Sequence, residues 1–204
     1  MKKVVIFGST GMTGVCALDA AVKKGLEVRA FVRDPAKVPE HLKDKVEIFQ
    51  GNVLEPDSVM EAVEGVDGVV ILLGTRNSLE PTSDMSEGTK NIIEAMRAKN
   101  VKIVSACMST FLLFEPSKLP ERFKNVNDDH KRMQDALKEC GLNWIAVLPP
   151  HIADEPSAEI TVVVNPDKGP GRSISKLDLA SFMIDCLNEP KYYKNTVALC
   201  NVGK

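Results

Sequence analysis

A short apolar run, Val4 to Phe7, empties into Gly8-Ser9-Thr10-Gly11-Met12-Thr13-Gly14 and then into a helical pattern. Few orders of residues restrict a fold as much as strand, glycine turn and helix in immediate succession. Glycine reaches backbone angles closed to other residues and allows the main chain to approach another chain or a ligand closely. The helix that follows presents unpaired N–H groups and a partial positive charge at its amino end. Together these make a cradle for a pyrophosphate. The spacing is G-x-x-G-x-x-G rather than G-x-G-x-x-G, so the flanking strand and helix, more than the glycines, point to dinucleotide binding.

The same alternation continues along the chain. The pattern predicts a helix from about Thr13 to Lys24, with Val15, Leu18, Ala21 and Val22 on one face and Gly25 as its stop. Strands are predicted over Glu27–Val32, Val46–Phe49, Val69–Leu73, Ile103–Ala106 and Trp144–Leu148, and near Thr196–Leu199. Between them stand helices capped by Asp57 and running through Met60 and Val63, over Met85–Lys99, and around Asn127–Lys138. A last helix, Lys176–Leu187, carries Ser175 as its cap and Asp178 as the reciprocal acid. Strands alternating with such helices imply right-handed crossovers and a parallel sheet. With the first helix opening at the glycine turn, the expected class is α/β, a doubly wound Rossmann sheet in one domain over residues 1–204. Segment 149–175, rich in proline and glycine, reads as loops inserted to cover a substrate.

Composition narrows the partners. The net charge of −2, without a basic block, argues against nucleic acid. No apolar stretch approaches the ~20 residues that span a bilayer, and the amino terminus leads directly into a strand with no room for a signal peptide. Five scattered cysteines without a C-x-x-C pair predict reduced thiols and a soluble cytoplasmic protein, with neither a disulfide frame nor a metal site.

Dinucleotide enzymes that select NAD place an acid at the end of the second strand, about 20 residues past the glycines, on the ribose hydroxyl. Here that strand ends Phe31-Val32-Arg33-Asp34, with Lys37 close behind. The planar fork of Arg33 suits a 2′-phosphate, which favours NADPH. Asp34 would serve as the NAD-type acid if the register moved by one.

Gly8–Gly14, Val32-Arg33-Asp34, Leu72–Asn77, Met85–Gly88, Cys107–Leu113, Asp128-Asp129-His130, Pro149–Ile152 and Ile174–Leu179 coincide with the motifs of one family. Over nearly its whole length the chain closely resembles the NADPH-dependent flavin reductases, or biliverdin-IXβ reductases, atypical members of the short-chain dehydrogenase superfamily. Only the last dozen residues look unlike them. The resemblance implies a monomer with NADPH along the carboxyl edge of the sheet, giving hydride to a flavin or a linear tetrapyrrole. It puts Thr10, Gly11, Met12 and Thr13 on the pyrophosphate, Arg33 and Lys37 on the 2′-phosphate, and Asn52 and Val53 beside the adenine. Leu73, Gly74 and Met85 line the middle of the cofactor, with Thr75 and Arg76 in the loop beyond. Cys107, Ser109, Phe111, His130, Pro150, His151 and Ile152 surround the nicotinamide and acceptor. Two positions depart from the family: Asn52 stands for the usual Asp, and Ala36 for a hydroxyl residue near the phosphate.

The chemistry available is limited. Carbonyl-reducing relatives use a Tyr-x-x-x-Lys pair, but Tyr192 and Tyr193 fall near the end of the chain and outside that pattern. Flavins and biliverdin need less, because hydride addition gives a delocalised anion that a weak acid or water can protonate. Placement of two flat rings then supplies most of the catalysis. Ser109, His130, His151 and Cys107 are the candidate catalytic residues, and Ser109 and Phe111 the candidate acceptor contacts. Three of them have a plainer role open to them: a turn for Ser109, a loop hydrogen bond for His151, a small buried hydrophobe for Cys107. A non-catalytic NADP sensor of the same fold is the competing reading.

Overall fold

The computed structural model of the chain describes residues 1–203. Its strands are β1 (Lys3–Phe7), β2 (Glu27–Val32), β3 (Glu47–Gln50), β4 (Gly68–Ile71), β5 (Ile103–Cys107), β6 (Asn143–Leu148), β7 (His151–Ala153), β8 (Ile160–Val164), β9 (Ser173–Ser175) and β10 (Asn195–Asn201). The α-helices are α1 (Met12–Lys23), α2 (Glu40–Lys43), α3 (Pro56–Val63), α4 (Asp84–Ala98), α5 (Lys124–Glu139) and α6 (Lys176–Asp185). The main sheet runs β3-β2-β1-β4-β5-β6-β10-β8, parallel throughout except for β8, which pairs antiparallel with β10. This is the expected doubly wound α/β arrangement.

The inner strands are apolar along their length because both faces are covered. Alternate side chains of β1 divide between two cores. Val5 and Phe7 join Val59, Ile92, Met96, Met133 and Leu137 under α3, α4 and α5. Val4 and Ile6 join Leu18, Leu42, Leu179 and Met183 under α1, α2 and α6. Each fully buried aliphatic side chain contributes about 1.5–3 kcal/mol. The chain winds outward from β1 to β3, then returns to β4 on the other side of β1. That reversal opens a crevice above the carboxyl ends of β1 and β4, the place where such sheets take ligands.

Three expectations need correction. Segment 149–175 is not loop alone: three short strands interrupt it, β7 and β9 forming a two-stranded parallel sheet and β8 extending the main one. The five β-branched residues Ile160-Thr161-Val162-Val163-Val164 carried a strand signal. Asp57 does not cap α3; Glu55 occupies that position, Pro56 starts the helix, and Asp57 lies in its first turn, where its charge suits the helix dipole. Ser175 does cap α6, its Oγ accepting from Leu177 N at 3.2 Å. Asp178 closes no capping box, because Ser175 N donates instead to Asn201 Oδ1 (2.7 Å). The Asp178 carboxylate takes Ala158 N (2.9 Å) and Asn201 Nδ2 (2.7 Å), tying the insert to the last strand.

Candidate functional site

The glycine turn separates into glycines the protein needs and one it does not. Gly8 adopts φ +81°, and a Cβ there would run into the carbonyl of Leu72. A Cβ on Gly14 would strike the carbonyl of Gly8. Gly11 has an ordinary extended backbone and would meet nothing closer than Gly8 O at 3.4 Å. Nothing in the protein's own packing demands a glycine there, and the room it leaves lies at the start of α1. The N–H groups of Met12, Thr13 and Gly14 have no acceptor among the described residues, and the first turn of α1 carries no acid. The buried Ser9 hydroxyl donates to Phe31 O (3.0 Å), fixing the turn to the end of β2.

Two depressions sharing Leu73, Gly74, Arg76 and Met85 form one groove across the crevice. The first half is walled by Gly8, Thr10, Val32, Arg33, Asn52 and Val53. Arg33 and Arg76 both line it, and neither has an ion pair among the described residues. Asp34 is engaged elsewhere: it caps the turn Pro35–Lys37 by accepting from Ala36 N (3.1 Å) and pairs with Lys37 at 3.7 Å. Lys37 therefore points to Asp34 and does not line the groove, leaving Arg33 as the cation at the end of β2. Asn52 Oδ1 accepts from Leu54 N (3.2 Å), shaping the loop at that end of the groove. Arg76 and Asn77 hold left-handed φ values of 53° and 69° where the halves meet, a strain that costs about 1–2 kcal/mol per residue.

The second half is more apolar and is lined by Cys107, Met108, Ser109, Phe111, Phe123 and Ile152, with Thr13 and Thr75 at its edge. Ser109 accepts from Phe111 N (3.2 Å), capping the 3-10 turn Thr110–Leu113. Phe111 stacks on Phe123 with ring centres 4.8 Å apart, and Phe114 meets Phe111 edge-on at 5.3 Å. From α5 come Val126, Asn127 and His130. His130 is 8 % exposed, and its Nδ1 has no partner among the described residues. Burial lowers its pKa from 6.5 to about 4, against the weaker pull of Asp129, so the ring is neutral at pH 7. Burial also pushes the Cys107 thiol up to about 12, which keeps it a thiol and leaves no nucleophilic thiolate. Asp129 accepts from Met85 N (3.1 Å) and from Arg132 (3.0 Å), pinning α5 to the start of α4.

Not every candidate converges. His151 is exposed on β7 and outside the groove lining, its N–H donating to Arg172 O at 3.2 Å. Pro150 likewise lies outside the lining, and Met12 is half exposed beside the turn. The tyrosines are elsewhere: Tyr192 packs on Phe182 (5.3 Å), and Tyr193 Oη donates to Leu187 O (2.7 Å). Sequence reasoning missed Met108, Phe123, Val126 and Asn127. Only Asn127 left a usable signal, standing one helical turn before His130. Among the described residues no helix is long and apolar enough to cross a membrane, and no three His, Cys, Asp or Glu residues gather as a metal site.

An uncharacterised chloroplastic protein of Arabidopsis thaliana is 25% identical over 201 residues, covering 91% of this chain and 72% of that protein. Sanguinarine reductase of Eschscholzia californica is 27% identical over 149 residues, covering 71% of this chain and only 52% of its own length. Among solved structures, a Rossmann-fold NAD(P)-binding family protein from Shigella flexneri superposes with a TM-score of 0.81 at 23% identity, over 100% of this chain and 95% of that one. A short-chain dehydrogenase/reductase from Veillonella parvula, solved with NADP, gives 0.82 at 15% identity, over 99% and 95%. The NAD(P)H-binding family model matches residues 8–190. Its span takes in the open Gly11, the free N–H groups of α1 and the two unpaired arginines, a set that fits a dinucleotide's phosphates. The chain belongs to the NAD(P)H-binding family.

Proposed function

We propose that the protein is an NADPH-dependent reductase that passes hydride to flavins (FMN, FAD, riboflavin) and to biliverdin-IXβ-type linear tetrapyrroles, acting as a cytoplasmic monomer. The observation that carries this reading is the stacked pair Phe111–Phe123 walling the acceptor half of the groove, with both tyrosines remote from it. A flat apolar wall suits a flat conjugated acceptor, and neither tyrosine is there to act as the phenol of the usual Tyr-x-x-x-Lys carbonyl chemistry. The relatives described as sanguinarine reductase and as an oxidoreductase of Pestalotiopsis microspora support a reductase in general.

Bound NADPH supplies the hydride from its nicotinamide ring. The first turn of α1 holds the pyrophosphate through the N–H groups of Met12, Thr13 and Gly14. Arg33 takes the 2′-phosphate through its guanidinium fork. Leu73 and Met85 hold the middle of the cofactor, and Phe111 and Phe123 fix the plane of the acceptor and exclude water from one face. Neutral His130 orients ligand by hydrogen bonding and is too weakly basic to deliver a proton at pH 7. Ser109, with its oxygen already accepting from Phe111 N, retains its O–H as a donor. Ile152 is the part of segment 149–175 that reaches the groove, so the substrate cover is the strand β7.

The test follows NADPH oxidation by absorbance with FMN and then biliverdin IXβ as acceptor, NADH being run in parallel. Turnover with NADPH well above NADH is expected. Tight NADPH binding with no turnover on either acceptor would overturn the reading and favour a redox sensor.

A further inference from the structure

The helix α5 carries two buried polar atoms without partners among the described residues, Asn127 Oδ1 and His130 Nδ1. They stand at i and i+3, on one face of the helix, and both residues line the acceptor half of the groove. Buried polar atoms are nearly always satisfied, so two orphans in one cavity mark where a ligand's polar atoms belong. Their surroundings differ. His130 lines the groove alone, whereas Asn127 also lines a second cavity with Leu112, Phe114 and two acids, Glu121 and Asp128, set against Lys124 and Lys131. Asn127 thus stands at the outer end of the acceptor half, where the Phe111–Phe123 wall gives way to that cavity.

We infer that Asn127 is a specificity-determining residue for the acceptor, its Oδ1 accepting the N–H of a cyclic imide or lactam held flat against Phe111 and Phe123. An amide oxygen accepts and cannot donate, so the atom selects acceptors that present a ring N–H. Acceptors with carbonyls alone leave it unsatisfied. Isoalloxazines and bilins both carry such an N–H, while quinones do not. The inference rests on the reductase reading and adds to it the atom that is recognised.

The test measures binding of riboflavin and of 3-methylriboflavin to the NADP-loaded protein by fluorescence quenching, for wild type, Asn127→Leu and Asn127→Ala. One hydrogen bond predicts that wild type prefers riboflavin by about five- to tenfold, and that both variants bind the two flavins alike. Their affinity for NADP stays within about twofold of wild type, which also reports that they fold. A wild type without preference overturns the inference, whatever the variants do. So does a variant that keeps the preference, or one that loses NADP affinity in step with riboflavin, because Asn127 would then serve the cofactor. Turnover of FMN by wild type tests the reductase reading separately: turnover without a riboflavin preference sinks the role of Asn127 alone. Failure of the wild type to bind riboflavin sinks both.

Discussion

The two halves of the groove are built by different means. One end of the groove is built largely on local backbone: the glycine turn with the free N–H groups at the start of α1 beside it, and the Arg33 side chain where β2 ends. The other, more apolar half is made of side chains brought from β5, the turn Thr110–Leu113, α5 and β7, which are far apart in the chain. A backbone site is fixed by local spacing and tolerates almost no added atom. A side-chain site depends on the whole fold, and single substitutions retune it without dismantling it.

The comparison breaks most readily at Gly14. Gly14→Ala would drive a methyl into the Gly8 carbonyl, itself held by the Gly11 N–H at 3.1 Å, so neither backbone can yield cheaply. A loss of about 3 kcal/mol of stability is expected, with NADPH affinity falling alongside; thermal unfolding and cofactor titration measure both. On the other half, His130 makes stability depend on pH. Its pKa is lower in the folded protein (about 4) than its ordinary 6.5, so below pH 6.5 the unfolded chain binds more protons. Stability is therefore full above that value and falls as the pH drops toward 4, by roughly 3 kcal/mol at most. Denaturant melts between pH 4 and 7 should show this slope, and His130→Phe should flatten it.

Smaller effects separate cofactor recognition from fold. Arg33→Ala should raise the Michaelis constant for NADPH about 10- to 100-fold, the range of a charge-assisted pair, while leaving that for NADH nearly unchanged. Equal losses for both cofactors would remove Arg33 from the phosphate. Gly11→Ala should leave the melting temperature within about 2 °C yet weaken NADPH by about 1 kcal/mol, since its methyl meets ligand and not protein. Matching losses in stability would mean that Gly11, like Gly14, serves the turn.

Legibility in the sequence follows the same division. The turn, the succession of strands and helices, and the position of Arg33 could be read from the sequence because each is local, the elements repeating a 2.0 or 3.6 residue period. Asp34 remained ambiguous until its carboxylate was found capping Ala36 N. The wall Phe111–Phe123 could not be read, because residues twelve apart meet only through the short turns between them. His151 looked promising beside two prolines, but the pairing of β7 with β9 places it in solvent. Strand β8 was missed because the glycine and proline around it suggested loops, although its own residues are β-branched.

Strand β10 lies between β6 and β8, so β8, made some thirty residues earlier, has no other strand to pair with in the main sheet. Asn201 adds side-chain bonds to Ser175 N, Ala158 O and Asp178 at that same junction. The six strands from β3 to β6 in the sheet can therefore pair without β8, which joins the sheet only through β10. The outer part of the molecule is locked only once β10 is in place, which makes this seven-residue strand the clasp between the main sheet and the segment before it.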